Sequence, residues 1–202
     1  MDREGLKLIV GIQPDHHQSL LSTFENRYTP ELYKQLTEIA DQIIGDKLEK
    51  RFVFLLGTPG SGKTHYMVGC FRSKVLADGG VIGAQHSLYM PFSLMVSEII
   101  AGFSETHSTR MGLAQYLPVK YLFLDDISRG ERVINPEKME GQIFRDVLLD
   151  RWENCKHLIC TSNYDKATLR RMIKTVFGEY VLSRVEGSSM FIQFPEKDFR
   201  KK

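Results

Sequence analysis

The chain has 202 residues, 42% of them hydrophobic and 26% charged, a globular mix sized for one domain that excludes a disordered, collagenous or disulfide-scaffold protein. Twenty-seven Lys and Arg against 25 Asp and Glu leave a net charge of +2, too mild for the footprint of a strongly basic nucleic-acid binder, so any contact with DNA or RNA rests on local clustering. Cys70, Cys155 and Cys160 lack CxxC spacing, which speaks against a disulfide framework or zinc knuckle, and no run approaches the roughly 18 apolar residues of a membrane span; a cytoplasmic protein without a membrane partner is expected.

Residues 1–22 read as an N-terminal arm ahead of a domain at 23–202, with the paired His16 and His17 solvated rather than metal-ligating. From Thr29 the pattern sharpens: Pro30 suits a first helical position, and Leu32, Leu36, Ile39 and Ile43 predict an amphipathic helix ending near Gly45. The apolar run 51–56 predicts a buried parallel strand, followed by a helix over 63–77. Gly79 and Gly80 punctuate, 81–89 predicts a second strand, Pro91 opens a helix through Ile100, and 104–110 reads as a polar loop. A third strand, starting at Tyr121, ends in two acids, and a helix at 138–153 carries Ile143, Phe144, Val147, Leu148 and Trp152 on one face. A fourth strand at 157–160 runs into Thr161, Ser162 and Asn163. Helices are then expected from Asp165 and around 180–185, before an edge strand at 190–194 closed by Pro195. Strands alternating with helices predict a three-layer α/β fold with a five-stranded parallel sheet.

Gly57, Thr58, Pro59, Gly60, Ser61, Gly62, Lys63 and Thr64 fill the pattern GxxxxGK[ST] between a predicted strand and a predicted helix, the context that confirms it. Glycines let the backbone curl so that its N–H groups converge on phosphates at a helix N-terminus. Lys63 is placed for the β- and γ-phosphates of ATP, the Thr64 hydroxyl for Mg²⁺, and His65 follows as a further nucleotide contact. Asp125 and Asp126 end a strand where a parallel sheet opens its ligand crevice; Asp125 would hold Mg²⁺ and Asp126 polarise the attacking water, a role often taken by the longer Glu. Asn163 could hold that water from the other side, and Arg184 or Arg200 could reach a phosphate.

The set GTPGSGKT, YLFLDDI, CTSN, GEYVLSRV and KDFR, in this order and spacing, resembles the AAA+ ATPases of the DnaC/DnaI helicase-loader and IstB transposition-helper family, as does the upstream stretch TFENRYTPELYKQLTEIADQII. The resemblance covers about residues 23–200. It implies an ATP- and Mg²⁺-dependent ATPase of the P-loop AAA+ type without a separate helical lid, with Asn163 as a sensor and Arg184 as a finger on the nucleotide of a neighbouring subunit in a head-to-tail homo-oligomer. Arg151 and Arg200 fall on family-like positions. Tyr180 stands where such loaders tend to carry a second arginine, and the family's usual N-terminal helicase-docking domain has only about twenty residues in its place here.

The partners this implies are single-stranded DNA and a replicative helicase, or a transposase if the chain is IstB-like. Arg110, Lys120, Arg129, Arg132 and Lys138, with Phe92, Phe103 and Tyr116, are the residue types a stacking groove for single strands needs, and 128–137 reads as a loop that moves with nucleotide state. Two competing readings are a small-molecule P-loop kinase, which would need an acceptor pocket, and a nucleotide-gated adaptor whose hydrolysis is vestigial.

Overall fold

Phe52–Leu56 (β1) is apolar at every position because both of its faces are covered. Phe52, Phe54 and Leu56 join one apolar cluster while Val53 and Leu55 join another, so the two-residue period of a strand sorts one continuous run into two cores. The structure is a computed structural model that describes residues 12, 16, 19–23, 28–80, 85–106, 112–128 and 139–200. The N-terminal arm, apart from 12, 16 and 19–22, lies outside the described residues. So do Arg110, Arg129, Arg132, Lys138 and most of the 128–137 loop, together with the side chain of Phe103.

The other elements are α1 (Pro30–Ile44), α2 (Lys63–Ala77), β2 (Ser87–Pro91), α3 (Phe92–Thr106), β3 (Tyr121–Asp125), α4 (Met139–Glu153), β4 (His157–Ser162), α5 (Lys166–Phe177), α6 (Glu179–Gly187) and β5 (Ser189–Gln193). The five strands form one parallel sheet in the order β2-β3-β4-β1-β5. Helices α1 and α2 cover the face of Val53 and Leu55, and α3 to α6 cover the other. This is the expected three-layer α/β arrangement, and the described residues hold no additional lid domain.

Local chemistry sets the helix ends. The Thr29 hydroxyl accepts from Leu32 N at 3.4 Å ahead of Pro30, and Leu36, Ile39, Ala40 and Ile43 are buried at the spacing of one helical face. Asp165 caps α5 by accepting from Thr168 N at 2.6 Å. Gly178, at φ 86°, ends α5 and starts α6.

Two boundaries differ from expectation. Pro91 ends β2 instead of opening a helix; β2 is an edge strand, where the missing N–H of proline breaks no ladder. Helix α3 runs on to Thr106, into the start of the segment read as a loop, since polar side chains at a helix end do not stop it, and 107–110 lie outside the described residues. Residues 81–84 of the expected second strand lie outside the described residues.

Arg151 is fully buried and works as a staple rather than at a ligand site. Its guanidinium donates to Val119 O at 2.5 Å, Tyr116 O at 3.1 Å and Leu117 O at 3.1 Å, which ties the segment entering β3 to the last turn of α4. Burial pulls its pKa down to about 10 despite Asp150 nearby. Arg151→Met keeps the side-chain length but takes the guanidinium from Val119 O and Tyr116 O, while Leu117 O keeps the Lys156 ammonium at 2.7 Å; it should cost about 3 kcal/mol in urea unfolding and leave the sheet intact by circular dichroism.

Candidate nucleotide-binding site

Where β1 ends, the chain turns sharply through glycines with positive φ, among them Gly60 at 78° and Gly62 at 95°. Gly62 brings the chain into α2, whose N-terminus has no side-chain cap, leaving its first-turn N–H groups and the positive end of its dipole for an anion. Gly60 is needed for space as well as angle: a Cβ there would lie 1.9 Å from Asp198 Oδ1. The C-terminal segment crosses the loop at this point, with Phe199 N donating to Gly60 O at 3.0 Å.

Lys63 is folded back into the loop. Its ammonium donates to Gly57 O at 2.7 Å, Thr58 O at 2.8 Å and Asn163 Oδ1 at 3.0 Å, with Ser61 Oγ at 3.4 Å. Burial pulls its pKa down to about 8, aided by Arg200 and opposed by Asp126 and Asp125. The hydroxyl of Thr58 is buried with no partner among the described residues.

Asp125, at the end of β3, gathers three hydroxyls. Thr64 donates to Oδ1 at 2.9 Å, Thr161 to Oδ1 at 2.5 Å and Tyr89 to Oδ2 at 2.9 Å. Burial and the Asp125 charge push the Tyr89 phenol well above its ordinary pKa, so it stays a donor. Asp126 follows at φ 52°, held there as its N–H donates to Thr161 Oγ1 at 2.8 Å and Ile127 N to Thr161 O at 3.1 Å. Ser128 Oγ donates to Asp126 Oδ1 at 3.1 Å and accepts from Asn163 N at 2.6 Å, linking the ends of β3 and β4.

Lys63, Thr64, Asp125, Asp126, Thr161 and Asn163 line a cleft of about 420 Å³ together with Pro59, Gly60, Gly62, His65, Phe199 and Arg200. His16, read as solvated, also lines it, its ring edge-on to His65 at 6.4 Å; His17 lies outside the described residues. Arg200 reaches the mouth as a bidentate partner of Asp198, at 3.0 and 3.1 Å. Arg184 is not among the lining residues. It stacks on Trp152, whose carbonyl binds Arg51 just before β1, so it sits toward the opposite end of the sheet. Of the residues proposed for a single-strand groove, Phe92 and Tyr116 are core side chains and cannot stack bases, and Lys120 is paired with Asp46.

Tyr89, Ser128, Tyr28 and Phe199 were not singled out from the sequence. Tyr89 reads as one more apolar strand residue, and only the β2–β3 register, Tyr89 opposite Phe123, brings its hydroxyl to Asp125. Tyr28 donates to Ser61 O at 2.9 Å and packs edge-on against Phe194 and Phe199, bracing the loop from beneath.

Sheet order, glycine loop and the acidic end of β3 together define the fold of a AAA+-type P-loop domain. Among solved structures, the chain is similar to the DnaC helicase loader, with a TM-score of 0.71, 16% identity, and coverage of 91% of this chain and 100% of that one. It is similar to DnaI at a TM-score of 0.64 and 17% identity over 98% of this chain and 93% of that one. It also resembles the replication initiator DnaA bound to AMPPCP and single-stranded DNA, at a TM-score of 0.64 and 17% identity, spanning 90% of this chain but half of that one. No protein-family model and no curated protein matches the sequence.

Gly60→Ala adds a Cβ where Asp198 sits, at a φ that disfavours it. The strap should lift: amide exchange at Phe199 rises at least about tenfold and stability falls by about 1–3 kcal/mol, read by hydrogen exchange and thermal unfolding.

Proposed function

We propose that this chain is an ATP-dependent helicase loader, a AAA+ ATPase that binds ATP with Mg²⁺, assembles head to tail, and delivers a replicative helicase to single-stranded DNA. The observation that carries the reading is the convergence of Lys63, Thr64, Asp125, Asp126 and Asn163 on one cleft from three strand ends. The likeness in fold to DnaC along that chain's whole length supports the choice of loader.

The cleft suits ATP. The loop amides and the α2 N-terminus take phosphate oxygens, and Lys63 exchanges loop carbonyls for phosphate. Thr64 Oγ1 and Asp125 Oδ1, 2.9 Å apart, are the hard oxygen donors that Mg²⁺ prefers, and the ion would supply charge neutralisation at the phosphates. Tyr89 and Thr161 hold the Asp125 carboxylate aimed. Asp126, fixed by Ser128, accepts the proton of the attacking water, and Asn163 orients that water from the end of β4.

Arg184 is outside the cleft of its own chain, beside Trp152 toward the other end of the sheet, which supports a role on the phosphate of a second copy. A contact of this kind is heterologous and builds a ring or helical filament.

ATP binding above about pH 8 should take up a proton. Lys63 titrates near 8 in the free protein; an adjacent phosphate raises that value, so affinity falls as pH rises through this window. Calorimetry in buffers of different ionisation enthalpy reads the uptake directly, and Lys63→Ala removes it along with tight binding.

Turnover per subunit should climb with protein concentration and respond to single-stranded DNA. Lys63→Ala and Arg184→Ala should each be inactive alone, the latter by about 10³-fold, yet recover activity when mixed, because one supplies the finger and the other the phosphate site. A flat, DNA-indifferent rate with no complementation would overturn the assembly and with it the loader.

A further inference from the structure

Arg184 is held unusually for a half-exposed arginine. Its Cζ lies 3.3 Å from the centre of the Tyr180 ring and 4.1 Å from that of Trp152. At 3.3 Å the guanidinium must lie flat on the tyrosine face. Among the described residues it makes no hydrogen bond or ion pair, although carboxylates stand close by on the same helix. Glu179 is taken up by Lys174, and Glu186 by Arg170. The two carboxylates of α6 are thus taken up by Lys174 and Arg170 of α5, and Arg184 is left gripped by its flat face between two rings.

A stacked guanidinium keeps its N–H donors in the ring-parallel plane, where a phosphate can meet two at once. The four-bond side chain is otherwise free to wander, and stacking removes that freedom before any partner arrives. Tyr180 sits one helical turn before Arg184 and is 60% exposed, so its ring contributes little to the core. Trp152, at the end of α4, packs against the core and supplies a rigid second surface.

We propose that Tyr180 and Trp152 are positioning residues that clasp Arg184 and present its donor edge to the phosphate of a nucleotide bound by a second copy of this chain. The proposal rests on the trans-acting role given to Arg184 above.

Mixed-subunit ATP turnover separates the two. Pairing Lys63→Ala as finger donor with Arg184→Ala as phosphate-site donor sets the reference rate. Adding Tyr180→Ala to the finger donor should lower that rate about tenfold, whereas adding it to the phosphate-site donor should leave it unchanged. Tyr180→Phe in the finger donor should stay within about twofold, because the ring face is kept. Trp152 is the sole tryptophan, so its emission reports the clasp: Arg184→Ala and Tyr180→Ala should each alter it in nucleotide-free protein, and wild type should keep its own emission when ATP is added. If Tyr180→Ala is tolerated in the finger donor, or lowers the rate equally in both subunits, the clasp is overturned while the finger stands. If the reference pair fails to complement, both fall.

Discussion

A single ammonium ties the phosphate loop to the sheet. Burying a lysine costs several kcal/mol unless its donors are bonded, and Lys63 meets that demand with oxygens from three places: the end of β1, the loop itself and Asn163 beyond β4. The loop therefore holds its curl through a group that also bonds Asn163, so one side chain spans both. Burial brings Lys63 to the edge of neutrality near pH 8, while Asp125 and Asp126 keep it charged below that. The loop and the end of β4 are thereby joined through one side chain.

Around that lysine the parallel sheet does the sorting. Because β1, β3 and β4 run the same way, their carboxyl ends deliver the loop, the two acids and Asn163 to one rim, as general experience of such sheets anticipates. Thr161 then acts as a pin between strands, its hydroxyl bonded to Asp125 and to the backbone of Asp126, holding the latter in a left-handed conformation that few non-glycine residues adopt. The far rim collects Arg51, Trp152, Tyr180 and Arg184, and the length of a strand keeps the two chemistries apart.

Much of this was legible in the residue string because its cues are local. The helices at 30–44 and 63–77 announce themselves through Pro30, an i, i+3, i+4, i+7 apolar stripe, and a glycine-rich start. The phosphate loop and the acids at 125 and 126 are contiguous motifs. What misled were residues whose roles depend on neighbours far along the chain: Pro91, harmless only because β2 is an edge strand; Phe92 and Tyr116, candidate base platforms that the core absorbs; Arg151, an arginine that serves three carbonyls. Tyr89 hid for the same reason, since an aromatic in an apolar strand gives no sign that its hydroxyl meets an acid on the next strand.

By itself, then, the amino-acid order determined the alternation of strands and helices, the phosphate loop with Lys63 and Thr64, and the presence of two acids at a strand end, all of which follow from periodicity and spacing over a few residues. The tertiary structure alone decided which hydroxyls hold Asp125, that the Asp198 strap lies on Gly60, and that Arg184 rests between two rings at the rim opposite the cleft. Such contacts join residues tens of positions apart, and strand register and helix packing, which no short window of sequence encodes, bring them within a hydrogen bond's length.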